Sequence, residues 1–449
     1  MAKLDRRDML KLMAGGAILA AGAGAPNKLE AAGGKDVTSK IVIMGAGLAG
    51  ISLAARLRKD APNAKIILVD KEEKFYYQPG FTLVGIGFYT RDDVTYEKKD
   101  LIPSGCEWVK QNVKSMNPGQ NSLTLDDGSN LNYDYLVIAT GVAYKFEHVD
   151  GLSYDDILNP DNVITSNYVM QGSEKTFKLS ERFAKAGGRG IFAEPRGAMK
   201  CAGANKKVMF MYESRTRQLG TRDKASLQLF GGGPKVFSNP VYAETIETLM
   251  AEKGIDYSTD INHELVAVDK ARNIATFKKY MPYTENGEKK MATDFVEAKF
   301  DWMHYTPKQI GLQMFVDAGL TDPKDPEMWV DVNRETLQSK KYKNIFAIGD
   351  VCGVPMGKTG ASVRKMYPIV ANNLIAQIKG EALPDKFDGY TACPLLCEHG
   401  KAMMVEFNWA GVASSMPCFG ATRASYLSWL TKLYAFRPMI MRGMINAIV

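Results

Sequence analysis

Histidine is scarce in this sequence. There are four, His148, His263, His304 and His399, and none lies at metal-ligand spacing. An imidazole-built metal centre is not expected, no metal is assigned, and each histidine reads as structural. Cysteine is sparse too. The six, at positions 106, 201, 352, 393, 397 and 418, are too scattered for a small disulfide scaffold. No CxxCH occurs, so any haem would belong to a separate chain. No basic run is sharply concentrated and the net charge of +7 is mild, which gives no reason to expect a nucleic-acid partner. A mildly basic surface favours anionic lipid headgroups or small anions instead. Neither apolar segment near the two ends reaches the ~20 residues of a membrane-spanning helix.

What is present is a globular composition, 45% hydrophobic and 24% charged, over a length that suits two or three domains. The start, "MAKLDRRDMLKLMAGGAILAAGAGAP", has a basic head, an apolar stretch from Leu12 to Ala25, and small residues Ala23 and Ala25 at a cleavage-like position. Arg6-Arg7 within it resembles a twin-arginine export signal spanning 1–32. That signal is read on proteins exported folded, often with a cofactor bound, and it predicts a periplasmic protein. The alternative is an amphipathic helix of a cytoplasmic protein. Residues 27–37 read as a linker.

The strongest motif is "KIVIMGAGLAGISLAARLR". Ile41 to Met44 form an apolar run of the kind buried in a parallel strand. Gly45, Gly47 and Gly50 follow, and a helix begins behind them. The first glycine suits the tight turn, the second the approach of a pyrophosphate, and the third close packing of helix on strand. The helix N-terminus then faces the phosphates. A second strand, "KIILVDK", ends at Asp70, 20 positions past Gly50, where an acid can bind ribose hydroxyls.

Two later strands carry further dinucleotide marks. "YDYLVIATG" closes on Thr140 and Gly141, and "KNIFAIGD" on Gly349 and Asp350. The order of triad, ATG and GD resembles the FAD domain of two-dinucleotide-domain, glutathione-reductase-like flavoproteins. It predicts an α/β chain with two Rossmann-like dinucleotide-binding domains. The FAD domain is discontinuous, 38–155 and 330–385, and encloses a second Rossmann-like domain at 156–329. Residues 386–449 form a C-terminal region.

The second domain lacks its own nucleotide loop. After "GRGIFA" comes "EPRGAMKCAGANKK", whose Gly197 and Gly203 are not spaced as a triad. In "LQLFGGGPKVF", Val236 stands at the third position and Pro234 sits in the turn. NADH is therefore not the expected donor.

Four segments resemble the sulfide:quinone oxidoreductase family, which is related to the flavoprotein subunit of flavocytochrome c sulfide dehydrogenase. They are "FYYQPGFTLVGIG" (75–87), "KCAGANKKVMF" (200–210), "GDVCGVPMGKTGASVRKMYPIVANN" (349–373) and "YTACPLLCEHGKAMMVEF" (390–407). Asn205 stands where proline is common in that family. The resemblance implies FAD as cofactor, sulfide as donor, membrane quinone as acceptor, and Cys201 with Cys393 as the redox pair. Sulfide attacks their disulfide or polysulfide bridge, and the freed thiolate passes two electrons to the flavin. Lys200, Lys206 and Lys207 are expected to lower a thiol pKa and draw the anion.

Further roles follow from the resemblance. Gln78 stands where the flavocytochrome subunits carry a flavin-linking cysteine, so covalent attachment by that route is not expected. Lys358 is expected near the flavin, and Lys401 beside the ring, favouring its anionic reduced form. Cys352, just after Asp350, is expected near the flavin as well. Glu194 is a candidate proton relay or a solvated acid. Cys397, four residues after Cys393, would share a helix face with it. It is either a sulfur-carrying thiol or, as is expected of Cys106 and Cys418, structural.

The C-terminal stretch "YLSWLTKLYAFRPMIMRGMINAIV" alternates apolar residues with Lys432, Arg437 and Arg442, and Pro438 divides it. It reads as an amphipathic, membrane-associating segment that would hold the protein peripherally on the bilayer. Packing on the protein itself is the alternative. The partners expected are sulfide, quinone and the membrane surface, with a homo-oligomer left open. Cytochrome c is the rival acceptor.

Overall fold

A computed structural model describes residues 33–257, 261–355, 357–413 and 420–449. The export-signal segment with Arg6 and Arg7 lies outside the described residues, as does Cys418.

The first unit begins with strand β1 (Lys40–Met44), helix α1 (Leu48–Asp60), β2 (Lys65–Val69), the short helix α2 (Phe81–Gly85), β3 (Glu107–Val109) and β4 (Tyr135–Ile138). The second follows with β5 (Ile164–Thr165), α3 (Met170–Ala186), β6 (Gly188–Ala193), α4 (Ala204–Leu219), β7 (Ala225–Phe230), β8 (Asp256–Tyr257) and β9 (Trp302–Tyr305). The chain then returns with β10 (Ile345–Ala347), α5 (Gly360–Lys379) and the hairpin of β11 (Thr391–Glu398) and β12 (Lys401–Asn408).

Two five-stranded sheets result, ordered β10-β4-β1-β2-β3 and β5-β9-β6-β7-β8. Every named pairing in both is parallel. Parallel strands need crossovers, and the helices that make them cover the sheet faces. The central strands accordingly read as unbroken apolar runs, with Ile41, Val42 and Ile43 fully buried. β10 rejoins the first sheet from far along the chain, pairing Ile345 with Leu136 and Ala347 with Ile138. That return brings the Gly349-Asp350 turn beside the first glycine turn.

Cys393 and Cys397 are on strand β11, not on a helix. β11 pairs antiparallel with β12, with a register irregularity between Leu396 and Glu398. Cys397 packs with Leu395, Met403 and Val405 in the core of the second unit. The helix expectation rested on spacing four alone, which strand and helix share.

The C-terminal stretch is helical from Tyr426 to Met444. It starts as helix α6 (Tyr426–Leu430) and widens into π-type turns over Thr431–Ala435 and Met439–Met444. Pro438 sits between those turns without breaking the run. The segment has two faces. Trp429, Leu433, Ile440, Met444 and Ile445 are buried, while Tyr426, Leu427, Tyr434, Ile448 and Val449 are exposed. Each buried side chain contributes about 1.5–3 kcal/mol. Polar ties reinforce the docking: Arg437 reaches Asp93 at 3.0 Å and the Tyr96 hydroxyl at 2.8 Å. Among the described residues no helix is long and apolar enough to cross a membrane.

Candidate active site

The two glycine turns open on one cavity of 470 Å³. Gly45 has φ 106°, and a Cβ there would meet the Ala139 carbonyl oxygen at 2.6 Å, so only glycine makes this turn. A Cβ on Gly50 would meet the Gly45 oxygen at 2.0 Å, which is the close approach of α1 to its strand. Gly47 is different. Nothing lies within 4 Å of a Cβ built there, and the residue lines the cavity, so its bareness leaves room for something else. The unpaired N–H groups at the start of α1 face the same space.

Asp70 stands at the rim. Its Oδ2 accepts from the Ala46 N–H at 2.8 Å and its Oδ1 lies 2.8 Å from Lys98 Nζ. Lys98 is only 3% exposed and lines the cavity. No motif marks it, since it sits in an otherwise ordinary charged run. Thr140 Oγ1 is buried with no partner. Gly141, Gly349, Asp350 and Lys358 also border the cavity. A bare glycine at a helix N-terminus, a fixed carboxylate and an orphaned hydroxyl fit an extended dinucleotide.

The sulfur end is built from three distant segments. Cys201 precedes α4 with φ 50°, a left-handed conformation rare outside glycine and costing about 1–3 kcal/mol. Its N–H donates to the Lys358 carbonyl at 3.2 Å, and its own carbonyl accepts from Ala204 at 2.7 Å. Cys393 arrives on β11. The two Sγ atoms are 3.2 Å apart and both thiols are free. A disulfide is about 2.05 Å long, so a small movement joins them.

Lys207 Nζ stands 3.3 Å from Cys201 Sγ and 3.1 Å from Cys393 Sγ. The Cys201 thiol donates toward Cys393, and Lys207 adds its charge. Together they hold the Cys393 thiol well below its ordinary range despite burial. Cys201 is pushed up correspondingly, by that shared proton and by burial. One thiolate, on Cys393, is the favoured state of the reduced pair. Burial pulls Lys207 down, but the two sulfurs outweigh it and leave the ammonium above its usual range.

Only one of the three lysines around Cys201 does this. Lys206 is held in a buried ion pair with Glu194 at 2.6 Å, so Glu194 is not the solvated acid of the two expectations. Lys200 donates to Gln78 Oε1 and lies over the Tyr144 ring. The C-terminal stretch supplies a lysine instead. Lys432 is 3% exposed, donates to the Pro79 carbonyl at 2.9 Å and lines the cavity. Burial, with the nearby Lys207 charge, holds it down at about 8.

The turn after β7 is closely packed. The Pro195-Arg196 backbone lies against Gly232, where a Cβ would meet Arg196 N at 2.3 Å. The backbone after β6 thus lies directly against the turn after β7.

Comparison with known proteins settles the family. Residues 39–184 match the family model described as pyridine nucleotide-disulphide oxidoreductase. A mitochondrial sulfide:quinone oxidoreductase of Dictyostelium discoideum is 34% identical over 414 residues, covering 92% of this chain and 87% of that one. The chain belongs to the sulfide:quinone oxidoreductase family. The mouse mitochondrial sulfide:quinone oxidoreductase is 29% identical, covering 90% and 86%. The crystal structure of the Aquifex aeolicus sulfide:quinone oxidoreductase shares the fold, with a TM-score of 0.72 at 24% identity over 91% and 92% of the two chains. The cofactor of the family is FAD, and this chain is an enzyme of it.

Not every residue picked from the sulfide:quinone oxidoreductase motifs reaches the cavity. Lys401 is at the β11–β12 turn, exposed, and paired with Glu398 at 2.7 Å. It does not line the cavity and stands as a surface residue, because the hairpin turns it outward. Cys352 is fully buried beneath the wall, its thiol pushed up to about 12 by burial. Its carbonyl accepts from Lys358 Nζ at 2.9 Å. Lys358 also donates to the Asp350 carbonyl at 2.6 Å and lies 3.6 Å over the Trp329 ring, so it stiffens the Asp350 turn. Cys397 is pushed up to about 12 by burial and does not line the cavity. Cys106, at about 11 from the same cause, is away from the cavity.

Proposed function

We propose that this enzyme oxidises sulfide through Cys201 and Cys393 and passes the electrons by way of FAD to membrane quinone. The observation that carries the reading is the meeting of two thiols from distant segments at 3.2 Å, beside one buried ammonium, on the wall of the dinucleotide cavity. In the oxidised enzyme the two sulfurs are bonded. Hydrosulfide attacks one of them, forming a new S–S bond and breaking the old one, and the other cysteine leaves as a thiolate. Lys207 faces both sulfurs, so it stabilises that thiolate whichever cysteine leaves. FAD supplies the two-electron acceptor. A second hydrosulfide takes the outer sulfur from the persulfide and leaves as hydrodisulfide, HSS⁻, which gives two cysteine thiols, and loss of two electrons and two protons from that pair restores the bridge. Overall, HS⁻ is oxidised to the sulfane level and quinone takes up two electrons and two protons.

Within the cavity, Gly47 and the start of α1 would hold the pyrophosphate, Asp70 a ribose, and Thr140, Gly141, Gly349 and Asp350 the flavin half. Phe436, Met439, Ile440 and Met444 give the wall contributed by the C-terminal stretch an apolar character that suits a quinone. The exposed Tyr426, Leu427 and Tyr434 on the other face of that stretch support a peripheral seat on the bilayer. This favours quinone over cytochrome c as acceptor. The Arg6-Arg7 segment supports export to the periplasm, whereas the Dictyostelium and mouse relatives are named as mitochondrial.

The test is anaerobic. Sulfide is expected to bleach the flavin and NADH is not, and decylubiquinone then restores the colour faster than cytochrome c. Cys201→Ser and Cys393→Ser are each expected to keep FAD and lose nearly all sulfide turnover. Full turnover in either variant removes that cysteine from the mechanism.

A further inference from the structure

His304 is fully buried in the middle of β9, paired in register with Thr165 of β5 and Phe192 of β6. Nothing in the redox mechanism calls on it. Its hydrogen bonds nevertheless lead toward the cysteine loop from two sides. Nε2 lies 3.1 Å from the backbone N of Asn167, and Nδ1 lies 2.6 Å from Asn205 Oδ1.

The proton positions follow by elimination. A backbone N–H only donates, so Nε2 is the acceptor and the ring proton sits on Nδ1. That proton goes to Asn205 Oδ1. The Asn205 amide nitrogen is then the donor, and it lies 3.2 Å from the Ala193 carbonyl, which only accepts. Each group in the row has one consistent role. Burial pushes the imidazole pKa down to about 3, so the ring stays neutral and the row keeps one arrangement across physiological pH.

The ends of this row bracket Cys201. Ala193 ends β6, where the cysteine loop begins. Asn205 is in the first turn of α4, four residues past Cys201 and two before Lys207. On the other side, Tyr168 follows Asn167, and its hydroxyl donates to the Lys200 carbonyl at 2.9 Å, with the Cys201 carbonyl at 3.4 Å. The Asn167 side chain ties this wall to Thr82 of α2 at 3.1 Å. Between these anchors Cys201 is held at φ 50°. A left-handed cysteine persists only where its surroundings over-determine it, and this row is a large part of those surroundings.

We infer that His304 is a positioning residue, which through Asn205 on one side and the Asn167-Tyr168 segment on the other holds Cys201 in its left-handed conformation with Sγ between Lys207 and Cys393. The inference rests on the reading of Cys201 as the redox thiol. It gives Asn205 a definite part: a side-chain amide both receives the imidazole proton and fastens the start of the loop, which a proline at that position cannot do.

The test uses FAD-loaded enzyme and two variants, His304→Phe, which keeps a flat ring but loses both bonds, and Asn205→Ala, which leaves the ring in place. The first readout is the rate of Cys201 alkylation by iodoacetamide in the reduced protein, followed by peptide mass analysis. The second is the split of sulfide turnover into kcat and KM. Both variants are expected to alter Cys201 alkylation by about tenfold or more and to lower kcat by on the order of 100-fold, with sulfide KM little changed. Wild-type alkylation and kcat in Asn205→Ala overturn the inference, whether or not His304→Phe folds. Lower melting temperatures with unchanged Cys201 alkylation also overturn it, since they mark general destabilisation. Cys201→Ser separates the two levels: its full turnover defeats the redox reading itself, whereas an inactive Cys201→Ser beside a normal Asn205→Ala defeats only the role of His304.

Discussion

Replacing Lys207 by methionine removes one charge from between two sulfurs and keeps the apolar stem. The ammonium is 3.1 Å from Cys393 Sγ in a buried setting. At an effective dielectric near 20, a unit charge at that distance is worth about 5 kcal/mol, or between about three and four pKa units. The Cys201 proton and the Lys432 charge remain, and the site relaxes, so we expect the Cys393 thiol to rise by less than that Coulombic figure. The sign is that of an acid losing a stabilising cation: less thiolate at any given pH, recovered as the pH is raised. At a given pH the thiolate population falls by at most about tenfold for each unit of that rise, the full factor being reached only below the wild-type pKa, and sulfide-driven flavin reduction falls with it. Thiolate ultraviolet absorbance of the reduced protein gives the titration, and stopped-flow flavin reduction across pH gives the rate. Lys207→Arg, which keeps the charge, should lose much less. If Lys207→Met titrates as the wild type does, the electrostatic argument fails, even if the variant is slow.

Three further outcomes are expected. Deleting 429–449 removes Lys432 and one wall of the cavity, so sulfide bleaching should be lost along with membrane binding; bleaching at the wild-type rate would show that wall to be dispensable. For Lys432, the folded pKa of about 8 lies below its ordinary 10.5, so below pH 8 the buried charge costs about 3 kcal/mol, and that cost disappears as pH rises through the window to 10.5. Lys432→Met should therefore raise the melting temperature most at pH 7 and least above pH 10.5, and equal gains at both would refute the assignment. Lys401→Met should change neither flavin reduction nor stability measurably, as is usual for an exposed ion pair; a tenfold loss of activity would return it to the site.

The parts of the site that were legible in the sequence are those specified by local backbone geometry. The Gly45, Gly47 and Gly50 turn, the Thr140-Gly141 turn and the Gly349-Asp350 turn each need small residues within a few positions, and a strand ahead of them announces each one. Asp70 follows from the same spacing. Lys98, Lys432 and the Asn205–His304 row were hidden because their roles come from long-range packing. A buried lysine looks like a surface lysine until the segment opposite it is known. Lys432 illustrates this: the apolar residues around it read equally as a bilayer anchor or as a docked wall, and the segment has a face of each kind. Lys401 went wrong in the opposite direction. Its neighbour Cys393 belongs to the cavity, but a hairpin alternates its faces and turns sharply, so proximity in sequence did not carry over into space.

The lysines around the cavity have a bearing on the protein's lifetime in the cell. Lys207, Lys358 and Lys432 are all buried against one volume, and burial holds down the last two. Burial disfavours the Lys358 and Lys432 ammoniums, and an anionic occupant offsets that cost. Flavin binding and folding are therefore linked, with stability growing with the free cofactor concentration relative to its dissociation constant. When riboflavin is short, newly made chains spend longer without that occupant, with a larger unfolded fraction open to proteases. The steady-state amount of this enzyme should then follow the flavin supply, even with transcription held constant.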